Sequence, residues 1–129
     1  MLTRLVDARH DFVGHIGGDD FVLLMQSQDW EARCRSILAA FDAHIAACAH
    51  PDDLRQQGYL AENRRGKQEF HALPSLSIGA LVVEPRLYPS HHEVSSALGC
   101  TKKEAKKIRG SALFVERRQP AMLPCQDAA

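Results

Sequence analysis

Phe12-Val13-Gly14-His15-Ile16-Gly17-Gly18-Asp19-Asp20-Phe21-Val22 is the stretch on which the reading of the fold depends. Phe12, Val13 and Ile16 precede a Gly-Gly-Asp-Asp cluster, and Phe21, Val22, Leu23, Leu24 and Met25 follow it. Two apolar runs around such a cluster predict a β-hairpin over residues 11–26, because glycine accepts positive φ and aspartate tolerates turn geometry. The second run is continuously apolar, which predicts a strand covered on both faces.

Downstream of the hairpin, Ser27 or Asp29 is placed to cap a helix. Trp30, Cys34, Ile37, Leu38, Phe41, Ile45 and Cys48 recur at spacings of three, four and seven, which predicts an amphipathic helix of about five turns packed on a sheet. Pro51 is expected to stop it. Residues 51–72 are polar and less regular. Gly58-Tyr59-Leu60 and Arg64-Arg65-Gly66-Lys67 suggest two short extended arms around a glycine turn. The cations of that turn read as a solvated tip, or as a loop that contacts phosphate. Leu76, Ile78, Ala80, Leu81, Val82 and Val83 predict a strand bounded by Pro74 and Pro85. A second helix starts at Ser90 or His91, carries Val94, Leu98, Ala105 and Ile108 on one face, and ends at Gly110. Lys102, Lys103, Lys106 and Lys107 make its second half basic, where cations complement the helix C-terminus. Leu113, Phe114 and Val115 predict a last strand. The expected class is therefore α+β, a mixed or antiparallel sheet with helices packed on it. Residues 1–118 form one domain in this reading, and 119–129 a flexible tail.

Composition narrows the function classes. The 129 residues are 45% hydrophobic and 25% charged, ordinary for a soluble globular domain large enough to bury a core. Sixteen basic residues balance sixteen acidic ones, which argues against a chain that coats duplex nucleic acid. No apolar run approaches the ~18–20 residues of a membrane span, and the N-terminus has no apolar signal region. Cys34, Cys48, Cys100 and Cys125 are far apart, as expected of reduced thiols in a cytoplasmic protein. No close Cys/His set offers tetrahedral zinc ligands, and His91-His92 reads as a solvated helix start.

Three motifs in order carry a family resemblance. Gly17-Gly18-Asp19-Asp20-Phe21 resembles the GGDEF signature of diguanylate cyclases. Leu76-Ser77-Ile78-Gly79-Ala80 looks like the Ser-Ile-Gly strand of that family. Ala105-Lys106-Lys107-Ile108-Arg109-Gly110-Ser111 looks like its Ala-Lys-x-x-Gly-Arg-Asn helix end. The insertion from Gly58 to Lys67 is similar to that of GGDEF domains fused behind EAL and CBS modules. The resemblance covers residues 8–117. It implies a nucleotide cyclase-like, ferredoxin-like palm fold and a reaction that joins two GTP molecules into cyclic di-GMP. It also implies a Mg²⁺ ion at Asp19, catalytic roles for Asp19 and Asp20, and nucleotide contacts from Gly17, Gly18, Lys106 and Arg109. Such chemistry rests on positioned phosphates and on metal ions that neutralise their charge. By residue type alone, the cations Lys106 and Arg109 read as a solvated helix face.

The departures from the family pattern weaken the catalytic reading. Asp20 replaces the usual Glu, shortening the reach by about 1.5 Å, one carbon–carbon bond. Arg109 is one place off the family arginine, and Ser111 replaces Asn. Asp11 matches the acidic position of the Arg-x-x-Asp inhibitory site, but Ala8 stands where its arginine belongs, so Asp11 reads as a remnant. Sixteen residues precede the signature here, too few for the family's first strand and first two helices. A second metal ligand and the guanine pocket would go with them. The expectation is a catalytically silent chain, a regulatory module that binds GTP or mediates assembly beside EAL and CBS domains. The alternatives are the signature half of an active cyclase that needs the missing part, and a structural remnant that binds no nucleotide. Cyclic di-GMP is a further expected ligand. Removing a mid-sheet strand would expose two edges, which predicts closure by direct pairing, self-association or domain swapping.

Overall fold

The computed structural model describes residues 1–118, so the expected tail and Cys125 lie outside the described residues. The chain divides into two compact units, Met1–Pro74 and a second that opens at Ser75.

The first unit opens with a one-turn helix, α1 (Leu2–Leu5). The hairpin follows as β1 (Phe12–Gly17) and β2 (Asp20–Leu24), antiparallel with Phe12 opposite Leu24 and His15 opposite Phe21. The pairing shifts register between His15 and Gly17, at the mouth of the turn. β2 is not covered on both faces: Phe21 is 54% exposed and Leu24 61%.

Helix α2 (Trp30–Cys48) matches the predicted apolar spacing. Its stripe is buried only in the first half, at Cys34, Ile37 and Leu38, and Cys48 at its end is exposed. The buried half lies where α1 packs on the helix and where the Cys34 thiol meets the Met25 sulfur at 4.0 Å. Asp29 holds the N-cap position but does not cap: its carboxylate accepts from Arg33 Nε at 2.8 Å.

Pro51 does more than stop α2. It is the first residue of a short helix, α3 (Pro51–Gln56), capped by His50, whose ring accepts from the Asp52 amide. Proline suits this position because the first helical N–H has no partner inside the helix. β3 (Gly58–Glu62) and β4 (Gln68–Ala72) then form the second hairpin, with the Arg64–Lys67 cations exposed at its tip.

The second unit is a strand–helix–strand crossover. β5 (Ser77–Leu81) and β6 (Ala112–Glu116) pair in parallel, and α4 (His91–Lys107) packs on both. Parallel neighbours need a connection long enough to return along the sheet, and α4 supplies it. Ser90 caps α4 through the Glu93 amide, as its sequence position implies. The buried side of α4 presents Ala97, Cys100, Thr101 and Ala105. A Cβ on Gly79 of β5 would stand 2.6 Å from the Lys102 nitrogen and the Thr101 carbonyl carbon. The glycine is therefore what lets helix backbone lie directly on strand backbone.

The class is mixed α+β, as expected, but the strands do not assemble one sheet. Among the described residues they pair as three two-stranded sheets. No helix among these residues is long and apolar enough to cross a membrane.

Candidate functional site

The turn between β1 and β2 gathers four of the residues singled out by sequence. Gly17 and Gly18 both hold positive φ, 147° and 57°, which side-chain-bearing residues rarely adopt. A Cβ on either would meet nothing within 4 Å. Glycine is thus required there by backbone conformation and not by crowding, and the turn presents bare backbone to open space. Asp19 follows on the exposed turn, and among the described residues no partner is bonded to its carboxylate. Asp20 opens β2, half-buried.

His15 braces this turn, a role sequence reading did not assign. Its Nε2 lies 2.9 Å from the Gly18 carbonyl oxygen, which accepts the ring N–H. The ring also packs against Phe21, tilted by 32° with centroids 4.8 Å apart. The signal lay in the pairing: His15 and Phe21 are direct cross-strand partners on one face of the hairpin.

Asp11 at the foot of the hairpin is committed to internal bonds. Its Oδ1 accepts from the amides of Gln26 at 2.9 Å and Ser27 at 3.1 Å. Its Oδ2 accepts from the Asp7 amide at 2.8 Å and the Ser27 hydroxyl at 2.9 Å. An ionised carboxylate offers about four lone-pair positions, and four donors occupy them. Burial raises the carboxyl pKa, but the bonds from Asp7, Ser27 and Gln26 outweigh it and hold the group down at about 2. The residue clasps the start of β1 to the segment leaving β2.

Lys106 and Arg109 lie in the second unit, both exposed. Lys106 occupies the last turn of α4, and Arg109 the loop between α4 and β6. Ser111 in the same loop accepts from the Leu76 amide at 3.0 Å, tying that loop to the entry of β5. Chain neutrality conceals an uneven division: residues 1–74 carry eleven acidic residues against eight basic, and residues 75–118 four against eight. Cations are therefore concentrated in the unit that carries Lys106.

Among the described residues no group of three or more His, Cys, Asp or Glu is arranged around a common ion. Magnesium does not need one. It keeps several waters and is held by one or two carboxylates together with substrate phosphates. An exposed, unpartnered Asp19 beside bare glycine backbone fits that requirement. Compared with protein-family models, with curated proteins and with solved structures, the chain matches none.

Proposed function

We propose that this chain is the C-terminal portion of a degenerate GGDEF domain. In this reading it serves a bacterial cyclic di-GMP signalling protein as a cytoplasmic regulatory module that binds GTP and does not itself cyclise it. The observation that carries the proposal is the Gly17-Gly18 turn, with positive φ at both residues, free space around both and Asp19 next in the chain. Bare backbone allows a phosphate to approach closely. Asp19 would hold Mg²⁺, which supplies charge neutralisation for the phosphates when bound.

Two features favour binding over catalysis. Asp20 is shorter than the Glu of the signature, in a class of site where geometry must hold to about 0.5 Å. Asp11 has its acceptor positions filled from within, which leaves it poorly suited to an inhibitory site for cyclic di-GMP. The two-stranded sheets leave strand edges unpaired among the described residues, which supports self-association and docking beside EAL and CBS domains in a parent protein.

Calorimetric titration of GTP with Mg²⁺ into the chain tests the proposal. Heat that saturates, without formation of cyclic di-GMP, is the expected result. Absence of both heat and a thermal shift at millimolar GTP would remove nucleotide binding from the account.

A further inference from the structure

The end of α2 carries two metal-ligating side chains on one exposed face. His44 and Cys48 stand four residues apart, and Cys48 Sγ lies 3.8 Å from His44 Nε2. Residues i and i+4 sit one above the other on a helix, the spacing by which a helix offers two ligands to one ion. The separation also suits coordination. With Zn–S near 2.3 Å and Zn–N near 2.0–2.1 Å, a tetrahedral angle sets sulfur and nitrogen about 3.5 Å apart. Small rotations of two exposed side chains close the difference. A second feature of the helix points the same way. Its C-terminus concentrates negative partial charge, yet α2 has no basic residue in its last turn, whereas α3 has Arg55 and α4 has Lys106 and Lys107.

We propose that His44 and Cys48 chelate a divalent cation of the zinc class, through Nε2 and a thiolate Sγ, at the C-terminus of α2. Binding releases the thiol proton to solvent. Water fills the remaining positions, so the site is open and exchangeable, unlike a closed Cys/His tetrad. Sulfur and imidazole select zinc-class ions over magnesium, which prefers oxygen, so the site is independent of any ion at Asp19. Occupancy pins the last turn of α2, just ahead of the break at Ala49 and His50 that leads into α3.

Cobalt titration of the reduced 129-residue chain provides the test, because thiolate-bound Co²⁺ shows a charge-transfer absorption. One saturating equivalent is expected, displaced by added Zn²⁺. Cys48→Ser should abolish the band, and His44→Ala should weaken binding by about tenfold or more. Both side chains are exposed, so both variants should keep the wild-type circular dichroism. Cys34 and Cys100 are buried and stay in place as internal controls. The proposal is overturned by a missing charge-transfer band, by a band that survives Cys48→Ser, or by unchanged affinity in His44→Ala.

Discussion

Replacing Gly79 by alanine probes the closest backbone approach in the second unit. The new methyl would lie 2.6 Å from the Lys102 nitrogen and the Thr101 carbonyl carbon, and 2.8 Å from the Thr101 hydroxyl. Non-bonded contacts of carbon settle at about 3.5–4.0 Å, so α4 must retreat from β5 by roughly 1 Å. The obstacle is helix backbone, which cannot rotate aside as a side-chain tip could. Overpacking of this kind costs about 1–3 kcal/mol, and an obstruction by backbone belongs at the upper end. For a chain of this size about 3 kcal/mol lowers the thermal midpoint by on the order of 10 °C. Gly99 supplies the control. It lies in α4, and a Cβ there would meet nothing within 4 Å. Gly99→Ala should raise stability by about 1 kcal/mol through helix propensity alone. Thermal and urea unfolding followed by circular dichroism measure both variants. A Gly79→Ala protein as stable as the wild type would refute the packing of α4 on β5, and with it the physical reason for glycine in the Ser-Ile-Gly strand.

Other consequences are testable by simpler means. Ile37 is fully buried, so Ile37→Ala should cost about 2–5 kcal/mol in urea unfolding; a loss below 1 kcal/mol would place α2 outside the core of the first unit. The Asp11 carboxyl is lowered to about 2 in the folded chain, from an ordinary 3.8. Its contribution to stability is therefore present above about pH 4 and is lost as the pH falls towards 2, because the unfolded chain takes up the proton first. A carboxyl NMR titration should place its midpoint near 2 and shift it upward in Ser27→Ala; an ordinary midpoint in the wild type would remove the clasp. His15→Ala should leave the β1–β2 ladder in place but speed amide exchange in the turn and weaken GTP binding; unchanged exchange at Gly18 would deny His15 its bracing role. Light scattering should show self-association, and a clean monomer at high concentration would exclude pairing through the open strand edges.

Where sequence and structure agree, a local rule was at work. Gly17 and Gly18 marked the hairpin because two adjacent positions needed positive φ. The Trp30-to-Cys48 spacing gave α2 its limits because Pro51 and the cap region bound the apolar stripe on either side. The Ser90 cap and the run to Lys107 did the same for α4. Disagreement arose where the deciding contact is distant or the signal is polar. α3 has no apolar stripe, so the proline that begins it reads only as the end of α2. The Asp11 clasp depends on Ser27, sixteen residues away, and no periodicity reports such a bond. Exposure of Phe21, Leu24 and Cys48 was equally hidden, since an apolar run announces a face without announcing what covers it. For the candidate site, residue types were legible at the turn, but the brace from His15 required the cross-strand register.

Paramagnetic relaxation can locate a metal ion bound with GTP at the Gly17-Gly18 turn. Amide NMR spectra of the chain with GTP and a trace of Mn²⁺ in place of Mg²⁺ report which residues surround the ion. Selective broadening is expected at Gly17, Gly18, Asp19 and Asp20, dependent on GTP and lost in Asp19→Ala. Broadening centred elsewhere, or the same pattern in Asp19→Ala, would contradict the proposed site.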